Sequence, residues 1–288
     1  MRIARRSALR ARAARGFEGR WLTLAAALAA ALLLGSESAR AEDPPAEGWR
    51  FTIAPYLWAT TLEGDVTVRG RKASVDESFI DILQATDSII GIEGRGEAWN
   101  DNWGFYVDGI YNRLDVENDE RPLVSFEIVT ELSILEAGML YRIGTWPLAS
   151  GWSGRPPDGP TLELDAYAGA RYTSLEIENK LTVGNTIFKA DGDRDWVDPI
   201  LGARAILDLD RRWQMMLGGD IGGFGAGANF TWSALGLVGY RYSLFGIDMT
   251  SVAGYKALYQ DYDHGSGSDR FEWDMTLHGP IIGTVIRF

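Results

Sequence analysis

A long, strict alternation of side-chain character is the feature that most constrains the fold of this chain. Between Asn229 and Tyr242, one face carries Phe230, Trp232, Ala234, Gly236, Val238, Tyr240 and Tyr242, and the other is wetter and includes Asn229, Thr231, Ser233 and Arg241. A period of two is that of a β-strand. Strands of soluble sandwiches run to about 5–6 residues, whereas a strand that crosses a membrane at a tilt needs about 9–11. The length of the run therefore predicts a membrane-spanning strand.

The same pattern recurs along the chain and predicts an all-β fold, an antiparallel up-and-down transmembrane β-barrel of about ten strands. The candidate strands are 51–62, 88–100, 102–114, 124–143, 162–174, 196–209, 212–222, 229–242, 245–259 and 270–288. Segment 63–87 reads as a small hairpin around Arg69-Gly70-Arg71-Lys72, followed by a short amphipathic helix within residues 78–87. If the hairpin joins the wall, the strand count becomes twelve.

The spacing of the strands predicts tight turns at one end of the barrel and longer links at the other. The links at 100–102, 209–212 and 242–245 are short, whereas those at 115–123, 178–195, 223–228 and 260–269 are predicted as polar loops. Short periplasmic turns and longer external loops are typical of outer-membrane barrels. The link at 144–160 is the exception, because it is long on the short-turn side.

In two strands the apolar set changes parity. Phe271 and Leu277 are odd-numbered, whereas Ile282, Ile286 and Phe288 are even-numbered. One extra residue near Gly279-Pro280 would reconcile the two sets, so the pattern predicts a β-bulge there. A similar change predicts a second one near Ile134–Glu136.

The N-terminus has the order of a secretory signal peptide. Residues 1–20 hold seven arginines, an apolar run follows from Trp21 to Leu34, and Ala39-Arg40-Ala41 forms a small-residue cleavage site before Glu42. This order predicts cleavage between Ala41 and Glu42. The domains are then a signal peptide at 1–41 and a barrel at 42–288.

Composition narrows the function classes. Without residues 1–41, 20 basic and 38 acidic residues remain, a net charge near −18. This balance argues against nucleic-acid binding and against peripheral docking onto anionic lipid. The chain has no cysteine, which excludes disulfides and thiolate metal ligands. We predict neither a cofactor nor a metal site.

Several segments carry a resemblance to a known group of proteins. Tyr56-Leu57-Trp58, Trp196-Val197-Asp198-Pro199, Gly219–Gly225 and the stretch from His278-Gly279-Pro280 to Phe288 resemble an uncharacterised family of Gram-negative outer-membrane barrel proteins. The resemblance implies an integral protein of the cell outer membrane and makes a porin-like role an expectation. It also implies that the terminal Phe288 is an assembly signal read by the barrel-assembly machinery. Periplasmic chaperones, outer-membrane lipid and lipopolysaccharide are the other implied partners, and the oligomeric state stays open.

If the apolar set faces lipid, the opposite face lines the lumen. The predicted lumen-lining residues are Glu93, Arg95, Glu97, Asp108, Glu127, Glu131, Arg142, Glu163, Asp165, Arg171, Asp198, Arg204, Asp208, Asp220, Arg241, Asp248, Lys256, Glu272, Asp274 and Arg287. Two interpretations follow. The leading one is a porin-like passive channel with an acid-biased lumen. In the alternative, acids and arginines pair across a narrow barrel and fill it, giving a structural or envelope-interaction barrel.

Three motifs suggest chemistry but fit it poorly. Asp191-Gly192-Asp193-Arg194-Asp195 begins like a calcium loop, but Trp196 stands where the turn needs glycine. His264 lies beside Ser266 and Ser268, which leaves a lipid-modifying outer-membrane hydrolase as a third hypothesis. The Gly-rich segment 222–227 is followed by a strand and not by the helix that a phosphate-binding loop requires. We assign no catalytic residue and expect that the protein is not an enzyme.

Overall fold

The computed structural model describes residues 48–68, 70–80, 88–121, 124–148, 160–183 and 186–288. The predicted signal peptide and its cleavage site lie outside these residues. The strands are β1 (Arg50–Trp58), β2 (Thr61–Val68), β3 (Arg71–Glu77), β4 (Ser88–Asn100), β5 (Trp103–Arg121), β6 (Val124–Pro147), β7 (Thr161–Val183), β8 (Thr186–Asp208), β9 (Trp213–Gly222), β10 (Phe230–Leu244), β11 (Ile247–His264) and β12 (Phe271–Arg287). A 3₁₀ turn covers Gly267–Asp269. Within the described ranges, no helix has the length and apolar character needed to cross a membrane.

Ten of these strands close into an antiparallel barrel. β1 is hydrogen-bonded to β4 on one side and to β12 on the other, and β4 to β12 follow one another in chain order. Because β1 pairs with a strand on each side, the ring has no unpaired strand edge there. An unpaired edge is what lets an open sheet pair with other chains. The predicted up-and-down barrel of about ten strands is confirmed.

The predicted hairpin joins the wall as two extra strands. β2 pairs with β12 from Thr61 opposite His278 to Val68 opposite Phe271, and β3 pairs with β2. β1 pairs with the other half of β12, with Trp58 opposite Ile281. β1 and β2 therefore form one line along β12, interrupted only at residues 59–60. Most of the predicted helix at 78–87 lies outside the described residues.

Strands β7 and β8 extend well past the predicted limits, whereas β6 extends only from its predicted end at 143 to Pro147. β6, β7 and β8 contain 24, 23 and 23 residues. The segments 115–123 and 178–195, predicted as loops, are instead mostly hairpin strands, with Val183 paired to Thr186 across residues 184–185. A strand with polar residues stays a strand when a neighbouring strand satisfies its backbone. In the long link at 144–160, β6 continues to Pro147, and residues 149–159 lie outside the described part.

Both predicted bulges are wrong. β12 pairs with β11 without a register shift from Arg287, opposite Asp248, to Phe271, opposite His264. In β6 the register is continuous through Ile134–Glu136, and the irregularities fall elsewhere. Alternate residues of each strand therefore face the same side of the wall through both predicted sites. The environment on each side of the wall is what changes along the strand.

Side-chain polarity inverts along the barrel axis. Near the short turns, the outward face is apolar and the inward face is charged. On β7 the outward set runs from Leu162 to Tyr172, after which the outward residues become Ser174 and Glu176 while the inward Leu175 is buried. We call the outward apolar zone the apolar band. Near the long hairpins the inward side chains form an apolar lumen layer, which includes Trp58, Ile110, Ile134, Leu175, Trp196, Leu258, Tyr262, Phe271, Trp273, Met275, Leu277 and Ile281.

A glycine marks the closest approach of β12 to the junction between β1 and β2. A Cβ atom at Gly279 would lie 1.9 Å from the carbonyl oxygen of Ala59. Ala59 in turn donates its N–H to the oxygen of Pro280 at 2.9 Å. Only a residue without a side chain allows this contact, so Gly279 positions the seam where the first and last strands meet.

Replacing Gly279 by alanine tests this contact. We expect Gly279→Ala to lower the free energy of unfolding by about 1–3 kcal/mol, because it forces an overpacked backbone contact. Urea titration of the refolded protein in detergent micelles measures the change. Gly96→Ala is the matched control, since its nearest atom would be 4.0 Å away. Equal effects of the two substitutions would contradict the assignment.

Candidate functional site

The candidate site is the charged part of the lumen, which we call the polar lumen layer. It lies on the short-turn side of the apolar lumen layer and is built from the inward positions of β4 to β10. Its central members are Arg95, Glu97, Asp108, Glu136, Arg142, Asp165, Arg171, Arg204 and Asp220. Strict alternation puts these side chains inside, because the opposite face of the same strands carries the apolar band.

Arg171 on β7 is a fully enclosed cation, with 0 % of its surface exposed. Its Nε donates to Glu136 Oε1 at 2.7 Å, its Nη2 to Asp220 Oδ1 at 2.9 Å, and its Nη1 to Thr231 Oγ1 at 3.0 Å. A buried guanidinium is tolerated only when its donors are paired and counter-charges are close. Two carboxylates and a hydroxyl provide this here.

A second group of contacts centres on Arg204 of β8. Its two Nη atoms donate to both carboxylate oxygens of Glu97 on β4, at 2.6 and 2.9 Å, and its Nε donates to Asp165 Oδ2 at 2.9 Å. Asp165 also accepts from Arg142 Nε at 3.0 Å, and Arg142 pairs with Glu163. The bidentate geometry fixes the direction of the bond as well as its strength.

Aromatic side chains complete the polar layer. Tyr56 donates its hydroxyl to Asp108 Oδ1 at 2.6 Å, and Arg95 lies 4.3 Å from the centre of the Tyr106 ring. Trp99 Nε1 donates to Glu97 Oε2 at 2.9 Å. These contacts pair carboxylate oxygens and stack a cation on a ring, so the layer combines ion pairs with cation–π packing.

Several contacts cross the lumen from one wall to the other. β4 and β8, joined by Glu97 and Arg204, are separated along the wall by β5, β6 and β7. β7 and β11 are equally far apart, yet Gln260 Nε2 donates to Thr173 Oγ1 at 2.8 Å. Trp196 on β8 stacks on Tyr262 of β11 with ring centres 4.3 Å apart. The lumen is therefore bridged at successive levels.

The inward charges at the two ends of the polar layer have different partners. Arg241 contacts Asp208, and its Nε donates to Gln214 Oε1 at 3.0 Å near the short turns. At the other end, Lys256 Nζ lies 5.0 Å from the centre of the Trp58 ring. Glu93 accepts a hydrogen bond from the backbone N–H of Trp58 at 2.6 Å, beyond the last residue pair of β1 and β4.

Most of the predicted lumen residues occupy inward positions. They are Glu93, Arg95, Glu97, Asp108, Arg142, Glu163, Asp165, Arg171, Asp198, Arg204, Asp208, Asp220, Arg241, Asp248, Lys256 and Arg287. The polar contacts of the interior bring the central ones together. Asp248 is exposed at the short-turn end, next to Arg287 in the ladder.

Three predicted lumen residues lie on the outer surface, and the prediction is wrong for them. Glu131 faces outward and pairs with Arg113, and Glu272 and Asp274 face outward on β12. Thr67 Oγ1 donates to Glu272 Oε2 at 2.7 Å, which lowers the pKa of that carboxyl below its usual value. Beyond the apolar band the outer surface is the polar one, which reverses the rule used to assign them. The side chain of Glu127 lies outside the described part.

The sequence missed residues that are central to the site. Glu136 lies where the apolar pattern changes parity, so the pattern does not place it on the lumen side. Thr173, Thr231 and Gln260 are fully buried; alternation puts Thr173 and Thr231 on the inward face, but only charged residues were included in the predicted lumen lining. Tyr56 belongs to the Tyr56-Leu57-Trp58 motif, which does not assign it to the lumen. The detectable signal was its inward parity on β1.

The motifs noted in the sequence take ordinary structural positions. Asp193 and Asp195 lie within β8 and not in a loop. His264 is exposed at the end of β11, and Ser266 is exposed in the link from β11 to β12. Gly223 and Gly225 have φ values of 83° and 74° in the loop between β9 and β10. Among the described residues, no group of three or more His, Cys, Asp or Glu side chains is arranged to hold a metal ion.

Removing Arg171 tests the polar lumen layer. Arg171→Met leaves Glu136 and Asp220 buried without their cation, so we expect it to lower the free energy of unfolding by about 3–5 kcal/mol. Lys72→Met removes an exposed partner of Asp65 and should have a much smaller effect. Urea unfolding in micelles gives both values. The double variant Arg171→Met/Asp220→Asn should lose less than the sum of its single variants, and strict additivity would argue against the pairing.

Several solved structures are similar to this chain, at low sequence identity and low TM-score. No family model matches the chain, and no curated protein sequence matches it. The structure is similar to the attachment invasion locus protein Ail of Yersinia pestis, with 11% identity, 84% of this chain and 99% of that chain covered, and a TM-score of 0.29. It is also similar to the translocator domain of the autotransporter NalP from Neisseria meningitidis (11% identity, 94% and 95% covered, TM-score 0.33). The outer membrane protease OmpT from Escherichia coli is a third similar structure (8% identity, 86% and 99% covered, TM-score 0.39).

Proposed function

We propose that this protein is an integral outer-membrane barrel with a closed lumen, serving as a structural or envelope-interaction element. The observation that carries the proposal is the set of contacts across the lumen, above all the bidentate bond between Arg204 and Glu97. The remaining support comes from the outer surface of the barrel and from the apolar lumen layer.

The apolar band has the dimensions and chemistry of a surface in contact with lipid. Its stretch on β7, from Leu162 to Tyr172, matches the roughly 9–11 residues that a tilted strand needs to cross the hydrocarbon. Aromatic pairs lie at its short-turn edge, with ring centres 4.8 Å apart for Trp103 and Tyr141. Aromatic girdles of this kind flank the apolar zone of outer-membrane barrels. By the same anatomy, the short turns face the periplasm and the long hairpins the exterior.

Closure of the lumen favours a structural barrel over a porin-like channel. An aqueous channel requires a continuous path of polar surface. Here the ion pairs of the polar layer join opposite walls, and the path then meets the apolar lumen layer, where Leu258, Met275 and Leu277 are buried. Ten strands enclose an interior only modestly wider than the eight-stranded case, which side chains can fill.

The exterior half supports a role in contacts at the cell surface. β5 to β8 continue as paired strands beyond the level at which the outer surface becomes polar. Where these strands leave the apolar band, the described side chains are apolar inside, at Ile134 and Leu175, and polar outside, at Glu131 and Glu176. This is the arrangement of a water-soluble β-protein. We propose that the membrane half anchors this exterior half, with lipid and lipopolysaccharide as its immediate surroundings.

Planar-bilayer recordings test the closed lumen. We expect the purified, refolded protein to insert without reproducible conductance steps. Folding of the protein used is checked independently by a difference in mobility between unheated and boiled samples on SDS gels. Stable, repeated steps from protein that passes this check would contradict the closed barrel and favour the porin-like channel.

A charge placed on the apolar band tests the membrane assignment. Leu217 faces outward with 63% of its surface exposed, so in water an arginine there would be harmless. We expect Leu217→Arg to destabilise the protein in liposomes by about 2–4 kcal/mol, the cost of arginine near the bilayer midplane. Ser74→Arg, on the outer face of β3, is the control and should change little. A neutral Leu217→Arg would contradict insertion at this surface.

A further inference from the structure

The turn between β10 and β11 combines an unusual backbone conformation with an unusual side chain. Leu244 and Ile247 are paired across a two-residue turn formed by Phe245 and Gly246, with φ values of 54° and 79°. Two positive φ angles are those of a type I′ hairpin turn, in which Asn-Gly is strongly preferred. A bulky aromatic residue in the left-handed region is a true outlier. The turn therefore uses phenylalanine at a local conformational cost.

Another short turn at the same end of the barrel shows what the backbone alone would favour. Between β4 and β5, Asp101 has a φ of 50°, close to that of Phe245. Aspartate tolerates this conformation, and its charged side chain suits a turn in contact with water. The turn between β8 and β9 is polar as well, with Asp210 accepting from the backbone N–H groups of Arg212 and Trp213. Hairpin geometry therefore does not explain Phe245.

The side chain of Phe245 is also the most exposed large apolar side chain among the described residues. Its surface is 95% accessible, and its neighbours Leu244 and Ile247 are 47% and 42% accessible. Single exposed apolar residues need no explanation, but contiguous ones mark a contact. Together with the backbone conformation, which costs free energy, this exposure indicates that Phe245 contacts something outside the chain.

We propose that the Phe245–Gly246 turn is a lipid anchor, in which Phe245 enters the boundary between headgroups and acyl chains of the leaflet nearest the short turns. The occupant is lipid, because the turn continues the outward faces of β10 and β11, which carry Tyr240 and Tyr242 within the apolar band. Aromatic side chains are favoured at this depth of a bilayer. The inference rests on the proposed membrane location and adds a residue that fixes how deeply this side of the barrel sits.

The absence of cysteine from the chain permits a direct test by spin labelling. Phe245→Cys, Asp101→Cys and Leu217→Cys each give one labelling site. The labelled full-length proteins are refolded into vesicles of phosphatidylethanolamine and phosphatidylglycerol. Collision with oxygen reports contact with lipid, and collision with a water-soluble nickel chelate reports contact with water. We expect the oxygen-to-nickel ratio at position 245 to exceed that at position 101 several-fold and to approach that at position 217.

A second variant keeps Phe245 in place. A label at Ile247→Cys should contact lipid when Phe245 is present and should lose oxygen accessibility several-fold in Ile247→Cys/Phe245→Asn. Asparagine suits the turn conformation, so a loss of lipid contact there reports on the aromatic ring and not on misfolding. No change between these two proteins would overturn the anchor.

The labelled positions distinguish failure of the lipid anchor from failure of the proposed membrane location. Lipid contact at position 217 with water contact at position 245 would overturn the anchor alone. Water contact at position 217 in folded protein would overturn the proposed location itself. Equal lipid contact at positions 101 and 245 would also overturn the anchor, because every short turn would then be immersed and Phe245 would have no distinct role.

Discussion

Hydrogen bonding around the closed wall decides which side chains point into the barrel, and the rest of the structure depends on this constraint. Because the ladder from β1 through β12 has few irregularities, alternate residues of a strand face the lumen along its whole length. In the proposed membrane location the outward residues of the apolar band must suit hydrocarbon, so the polar residues of these strands are directed inward. The interior then has to pair these charges with one another. Arg171 and Arg204, each bound to two carboxylates, are the result.

The same constraint explains the inversion of polarity along the axis. A strand cannot exchange its two faces without a bulge, yet its surroundings change where it leaves the apolar band. In β12, Phe271 faces the lumen and Ile282 faces outward, and both positions are apolar because each lies against the apolar side at its own level. The barrel thus joins a membrane-type half, charged inside, to a half with the core of a soluble protein, and the strands themselves run straight through the boundary.

Sequence periodicity predicted the wall well and the interior only in part. The alternation in Asn229–Tyr242 located β10 almost to the residue, because the strand lies in one environment. In β12 and β6 the same rule failed, since it assumed that apolar residues face lipid at every level. That assumption placed Glu131, Glu272 and Asp274 inside and suggested bulges that do not exist. Contacts between distant strands, such as Gln260 with Thr173, were out of reach because periodicity gives the face of a residue and not its partner across the lumen.

The place where the barrel closes has a consequence for the order of folding. β12 is the partner of β1 and β2, so the end of the chain completes the wall at its beginning, at the tight contact of Gly279 with Ala59. Pairings between residues so distant in sequence have a large entropic cost of loop closure and therefore form late. The bond between Arg204 and Glu97 also joins residues far apart in sequence, and it needs both walls in place. Closure of the wall and the bond across the lumen therefore both depend on parts of the chain that are distant in sequence, and we expect both to form late in folding.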